Sequence, residues 1–352
     1  MSRFMVLGVV LFLLLAFFSS SQIRSSYASS TYAVTPFRPR QSTNGFLPLS
    51  QAEELCDATG SVAVYPHRSQ HRKIYDLFLI DSELDWLEVR LNELAPWVDY
   101  FVIVESIQTF TNHEKPLHLR DCWSRFAPFS HQIIHRVIET DPNHNGSTWD
   151  REHYQRNALF DAVFPSLVGY QAPSRGDVLI VSDVDEIPRP ETLVFLRNCD
   201  FPQRTTLRSH FFYYSFQWAH KDSDWWHPQA TFYQGFEDTI RPEELRMGGG
   251  DLDLYNSSWH CSSCFATVAE IRSKITSFSH TEYDRPEFKD PAEIVRRVRN
   301  GIDLFERESE KYEKVDMGDN LPKYLLSNPQ RFPFMLDRSP ANANFKDYPS
   351  AS

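Results

Sequence analysis

The pattern of apolar and polar positions divides the chain before any single residue is interpreted. After Arg3, residues 4–18 carry no charge. That run is short for a membrane span and lies at the long end of a signal-peptide core. Two readings follow. The preferred one is an uncleaved signal anchor over residues 1–20, suited to a thin early-secretory bilayer; the other is cleavage after Ser26-Tyr27-Ala28. Residues 21–72 are rich in Ser, Thr, Pro, Gln and Arg without a sustained apolar period, which predicts a stalk.

Packed structure is expected from Lys73. Residues 74–80 read as a buried strand. Ser82 then caps a helix with Asp85 as its box partner, and Leu84, Leu87, Leu91 and Leu94 recur at helical spacing before Pro96. Residues 100–105 and 132–138 predict two further strands, 150–164 a helix, and 177–182 a strand. This order of elements predicts an α/β domain with a mostly parallel central sheet. In the second half, residues 205–218 predict β structure, 221–226 a Trp-bearing polar loop, and 271–279 a strand ending at His280. Asp290, Pro291 and Glu293 supply a cap, first-turn proline and box glutamate for a helix running to about Tyr312, weakened by Asn300-Gly301. The catalytic domain is expected over 73–330, with residues 331–352 as a tail draped over it.

Composition narrows the chemistry. The 352 residues carry a net charge of −11, which argues against a nucleic-acid partner. Five cysteines allow up to two disulfides and one leftover thiol in an oxidising lumen, with connectivity left open. Cys261-Ser262-Ser263-Cys264 lacks the second pair that a zinc site needs, so a structural disulfide or buried thiols is the preferred reading. Asn145 and Asn256 begin sequons for glycosylation in that compartment.

The most informative segment is Asp183-Val184-Asp185-Glu186, where an apolar strand enters an acidic turn closed by Pro188. Residues i and i+2 of an extended strand end share a direction. Asp183 and Asp185 can therefore face one ligand, as hard oxygen donors for Mn²⁺ or Mg²⁺ gripping a diphosphate. The alternative is a solvated acidic turn.

Several segments together are similar to glycosyltransferase family 17, whose best-known members add the bisecting sugar to N-glycans. They are Tyr75-Asp76-Leu77-Phe78 with Glu83-Leu84-Asp85 and Arg90-Leu91; Phe101-Val102-Ile103-Val104-Glu105-Ser106 with Thr109-Phe110-Thr111 and Lys115-Pro116-Leu117; Arg151-Glu152 with Gln155-Arg156-Asn157; the acidic turn; Phe212-Tyr213-Tyr214; and Trp259-His260-Cys261-Ser262-Ser263-Cys264-Phe265. The resemblance implies a GT-A type nucleotide-sugar-binding fold and catalysis on the lumenal side of the Golgi membrane by a single-pass type II protein. It also implies a UDP-sugar donor, Mn²⁺ and inversion at the anomeric carbon. The function it implies is transfer of N-acetylglucosamine from UDP-GlcNAc to a glycan or glycoprotein acceptor, the β-mannose of an N-glycan core among the candidates. Ser263 stands where the family often has an aromatic, and this departure bears on acceptor specificity.

Inverting transfer needs a group to neutralise the leaving diphosphate and a carboxylate base near the acceptor. Asp185 is the first metal ligand, Asp183 touches metal, water or ribose, and His280 completes the site; a strand-end histidine with a backbone partner is the alternative. Glu105, Arg90 and Arg156 are donor contacts, against readings as surface or structurally paired charges. Glu270 is the preferred base, then Glu282, with Asp284, Asp251 and Asp253 as further options. Trp225 and Trp226 are assigned to the acceptor as flat stacking faces. The competing readings are a transferase for another nucleotide-sugar or acceptor, a two-carboxylate glycosidase, and a non-catalytic carbohydrate-binding protein.

Overall fold

The computed structural model describes residues 30–33, 45–60, 62–139, 146–221, 224–316 and 318–349. The expected anchor, most of the stalk ahead of residue 45, and Asn145 of the first sequon lie outside them. Among the described residues no helix is long and apolar enough to cross a membrane.

The strands are β1 Ser30–Ala33, β2 Ile74–Ile80, β3 Tyr100–Ser106, β4 Ile133–Ile138, β5 Val178–Asp183, β6 Glu186–Pro188, β7 Thr205–Tyr213, β8 Ser215–His220, β9 Gln229–Phe232, β10 Leu252–Ser262 and β11 Tyr312–Lys314. The main helices are α1 Leu49–Ala58, α2 Leu84–Leu94, α3 Thr148–Asp161, α4 Pro190–Asn198, α5 Pro242–Met247, α6 Val268–Ser277 and α7 Pro291–Asn300. One sheet runs in the order β1-β10-β7-β9-β5-β2-β3-β4. Every neighbouring pair on this path is parallel except those made by β9, which is antiparallel to both β5 and β7. The mixed α/β architecture with a mostly parallel sheet is as expected.

The near-continuous apolar runs of β2, β3 and β5 reflect burial on both sheet faces. Ile74, Phe78, Phe101, Ile103, Val178 and Ile180 join one core with α1, α2 and α4. Their alternates Tyr75, Leu77, Val102, Val104, Leu179 and Val181 join a second core under α3. Helix α3 starts in a reciprocal capping box between Ser147 and Asp150. A third core unites α6, α7, Tyr213, Tyr214 and Phe345.

Four expectations about elements are corrected. Residues 271–277 are the greater part of helix α6, which ends before Phe278: Thr267 and Glu270 build a capping box at its start, and Ile271 and Ile275 share its buried face. Ser82 makes no cap; Glu83 holds the N-cap position of α2 without a side-chain cap bond. Helix α7 is capped by Asp290 as expected, but it stops at Asn300, because Gly301 turns left-handed at φ 60°. The packed domain also extends beyond residues 73–330. Helix α1 buries Ala52, Leu55 and Cys56, and Cys56 is bonded to Cys199 at the end of α4. At the other end, Phe332, Phe334, Met335 and Arg338 are wholly buried. The Arg338 guanidinium donates to the carbonyls of Tyr214, Phe265 and Ala343, so the tail is a core element rather than a drape.

The second disulfide joins Cys261 to Cys264, leaving Cys122 as the free thiol. The Cys56–Cys199 bond closes a loop of 143 residues in sequence separation. Replacing both by Ala is expected to lower unfolding free energy by roughly 2–5 kcal/mol, read from urea denaturation.

Candidate active site

The carboxyl ends of the parallel strands open into one cleft of about 650 Å³, where ligands of open α/β sheets bind. The loops after β2, β3 and β5 supply its floor, and α3, α5 and α6 its walls, contributing Arg156, Arg246 and Lys274 respectively.

The acidic turn is held from beneath by Arg90. This side chain is fully buried and pairs in bidentate fashion with Asp76 of β2, at 2.6 and 2.7 Å. It also donates to Ser182 Oγ at 2.6 Å and to the carbonyls of Asp183, Val184 and Glu186 at 2.7–3.2 Å. Arg90 is therefore absent from the cleft, and its expected role as a donor contact is corrected to positioning of the turn. Glu186 performs the matching task from the other side. Its fully buried carboxylate accepts from Arg246 at 2.9 Å, from Trp225 Nε1 at 2.6 Å and from the Asp183 amide at 2.8 Å. Burial pushes this carboxyl up, but Arg246 outweighs it and holds Glu186 well below the usual carboxylate range.

With the backbone so fixed, Asp183 and Asp185 both line the cleft. Asp183 is half exposed, accepts from Arg246 at 2.7 Å and lies 3.9 Å from Arg156. Asp185 is buried, and its two oxygens face His260 Nε2 and Lys274 Nζ, each at 3.7 Å. Burial opposes the Lys274 charge, yet Asp185 and Glu83 raise its pKa above the ordinary lysine value. Arg156 also lines the cleft, paired with Glu152 and Glu243.

The remaining expected residues divide. Trp225 lines the cleft, whereas Trp226 lies outside it, against the Arg208 guanidinium at 3.2 Å. His280 lines the cleft edge-on to Trp149, with ring centroids 4.9 Å apart, and is bonded to Glu282 at 2.8 Å. It does not complete a metal cluster with the acidic pair: among the described residues no three His, Cys, Asp or Glu are grouped to hold an ion. Glu105 is wholly buried away from the cleft, accepting from the amides of Leu119 and Arg120 and pairing with His135, so it anchors a short helix rather than a nucleotide. The Glu270 carboxylate is committed to its Thr267 cap and lines no part of the cleft. Glu282 lies outside too, and its hydrogen bond to His280 lowers its pKa, which weakens it as a base. Of the further options, Asp284 pairs with Lys289 and Asp253 with Arg208. Asn256, of the second sequon, lies on β10 away from the cleft and is hydrogen-bonded to His210 at 3.0 Å.

Sequence reasoning missed Glu83, Trp149, Arg246, Lys274 and His260 as cleft residues. Two carried a signal: Glu83 and His260 both sit within the segments that carry the family resemblance. A further aromatic wall joins Trp149, Phe278, His280, Tyr283 and Phe305 through ring contacts of 4.2–6.0 Å.

Comparison with known proteins identifies the family. The sequence model of Glycosyltransferase family 17 matches residues 2–342. The chain belongs to glycosyltransferase family 17. It is 24% identical over 304 residues to the Homo sapiens Beta-1,4-mannosyl-glycoprotein 4-beta-N-acetylglucosaminyltransferase, covering 77% of this chain and 56% of that protein. The Rattus norvegicus protein of the same name is likewise 24% identical over 304 residues, covering 77% and 55%. This family 17 chain thus spans a little over half the length of these relatives.

Two measurements probe the site's framework. Arg90→Met leaves Asp76 buried and unpaired, so urea unfolding should show a loss of about 3–5 kcal/mol; Arg90→Lys should recover only part of it, since one ammonium cannot serve every acceptor. Burial, reinforced by Arg246, holds the His227 imidazole down to about 3 from 6.5. The unfolded chain therefore takes up a proton between those values that the native chain refuses, and stability falls as pH drops below 6.5. His227→Gln should reduce the slope of stability against pH in that window by about 1.4 kcal/mol per unit, measured by denaturation at stepped pH.

Proposed function

We propose that this family 17 chain is an inverting glycosyltransferase that moves N-acetylglucosamine from UDP-GlcNAc to a glycan acceptor, with the β-mannose of an N-glycan core as the leading candidate. The observation that carries the proposal is the joint presentation of Asp183 and Asp185 at the carboxyl end of β5, beside Arg156, Arg246 and Lys274. The parallel sheet with its cleft at the strand ends supports a GT-A type reading. The name of the similar mammalian enzymes supports the sugar and the acceptor class. Two disulfides support an oxidising lumen, and the charge-free N-terminal run supports a Golgi membrane anchor, with secretion after cleavage as the alternative.

The acidic pair fits a divalent cation. Mg²⁺ and Mn²⁺ are commonly held by one or two carboxylates plus substrate phosphates rather than by an all-protein cage. Asp185 is a buried carboxylate whose nearest cationic partners stand at 3.7 Å, beyond hydrogen-bond distance, which leaves its oxygens able to take a further ligand. Asp183 and Asp185 would hold the ion, and when bound it supplies charge neutralisation to the leaving diphosphate.

The protein's own groups do the rest. Arg156, Arg246 and Lys274 orient the diphosphate by charge-assisted hydrogen bonds. Trp225 and the aromatic wall offer apolar ring faces to the sugars and exclude water from the reacting centre.

The test is nucleotide release from a panel of UDP- and GDP-sugars with Mn²⁺, with and without mixed N-glycans. Glycan-stimulated UDP release from UDP-GlcNAc is expected, falling at least about a hundredfold in Asp185→Ala and abolished by EDTA. Sugar binding without release from any donor would favour a non-catalytic carbohydrate-binding protein instead.

A further inference from the structure

Among the described residues seven carboxylates line the cleft, and six of them are already met by a basic side chain within 4 Å. Asp81 pairs with Lys115, Glu152 with Arg156, and Asp183 with Arg246. Asp185 faces His260 and Lys274, Glu243 faces Arg156 and His153, and Glu310 faces His220. The seventh, Glu83, has no Lys, Arg or His within that distance among the described residues. Its Oε2 accepts from the Asp81 amide at 3.1 Å, and its Oε1 has no hydrogen-bond partner there.

This asymmetry has a chemical meaning. A carboxylate paired with a cation is a weak proton acceptor, because its anionic form is already stabilised. A general base needs the opposite: an oxygen directed into the site and an anion that gains by taking a proton. The position is also suitable. Glu83 is the N-cap residue of α2, directly beyond the carboxyl end of β2, and β2 pairs with β5, which delivers the acidic turn.

We propose that Glu83 is the general base that takes the proton of the acceptor hydroxyl. The inference rests on the inverting transfer proposed above. As the acceptor oxygen bonds to the anomeric carbon, the bond from that carbon to the diphosphate oxygen breaks and its electron pair leaves with the nucleoside diphosphate. The hydroxyl proton passes to Glu83 Oε1 and is later lost to solvent.

The surroundings of Glu83 support this role. Burial raises its pKa to about 7; Asp81 before it and Asp185 across the cleft act in the same direction, and Lys274 of α6 opposes them. A base poised near neutral pH is the favoured arrangement for proton transfer under physiological conditions. The same surroundings explain why Glu270 and Glu282 are poorer candidates: the first is bound into a helix cap and the second into an exposed pair with His280.

The test measures sugar transfer by the full chain across pH for wild type, Glu83→Gln and Glu83→Asp, alongside titration of UDP-GlcNAc binding. Wild-type kcat/KM should rise with pH along a single limb that reports ionisation of one carboxyl group. Glu83→Gln should lower kcat at least about a hundredfold, abolish that limb and leave donor binding within about threefold. Glu83→Asp should retain the limb at a reduced kcat. If the wild type transfers sugar and Glu83→Gln keeps more than about a third of its kcat, or keeps the limb, the base assignment is overturned while the proposed function stands. If Glu83→Gln does not fold and bind donor, Glu83→Asp decides: wild-type kcat there overturns the assignment. A wild type that transfers no sugar from any donor overturns both.

Discussion

The geometry of the site depends on one buried guanidinium. Arg90 binds Asp76 with one side of its fork and gathers three consecutive-turn carbonyls, those of Asp183, Val184 and Glu186, with the other. Carbonyls that converge on one cation fix the backbone of the turn, and Asp183 and Asp185 line the cleft from that fixed backbone. The Asp76–Arg90 pair is charge-balanced and hydrogen-bonded on several sides, the condition under which a buried ion pair is tolerable. It links α2, β2 and β5 in a single contact, so the acidic turn inherits the rigidity of the sheet rather than the mobility of a loop.

A second constraint acts from the far side of the same turn. Arg246, on the short helix α5, is shared between Glu186 beneath and Asp183 above. Glu186 is bound to Trp225, and Trp225 packs at a tilt against Phe211 and His260. The position of one aromatic face in the cleft is therefore coupled to the acidic turn through a buried carboxylate. The tail contributes from further away: Arg338 ties the Tyr214 turn to Phe265, just past the Cys261–Cys264 bond. That is why residues beyond 330 belong to the domain and not to its surface.

Much of this was legible in the amino-acid order, and the failures have physical causes. The strands β2, β3 and β5 were readable because burial on both faces leaves a near-continuous apolar run. The acidic turn was readable because the period of two is a property of any extended segment. Arginine roles were not. Arg90 and Arg156 both lie on helices, and what separates their roles is the neighbour that tertiary packing supplies. A hint existed: Asp76 stands alone inside an apolar strand and so requires a buried cation. Residues 271–279 do not have the strand period: Ile271, Ile275 and Phe278 recur at helical spacing among polar residues. The Thr267–Glu270 capping box immediately upstream, together with Ile271 and Ile275 four apart, identifies the helix. Glu83 lies within a segment that carries the family resemblance, but as one of three acids in Asp81-Ser82-Glu83-Leu84-Asp85 nothing in its spacing singles it out. Its distinction is the absence of a basic neighbour in the fold, and sequence spacing cannot express that.

The balance of charge in the cleft also bears on the proposed donor. Around the acidic turn, Arg156, Arg246 and Lys274 face Asp183, Asp185, Glu186, Glu152 and Glu243. Three cations against five carboxylates leave this region anionic before any ligand arrives, on a chain already at −11. A nucleotide diphosphate placed here adds negative charge to negative charge in a partly buried site, where such repulsion is weakly screened. The arginines cannot serve it alone without releasing carboxylates that they now neutralise. A divalent cation held by Asp183 and Asp185 would remove the deficit and would leave the Arg246–Glu186 contact that holds the turn undisturbed. Two acidic residues at the turn, rather than a wholly basic cradle, are thus consistent with an anionic donor if the donor and its cation arrive as one unit.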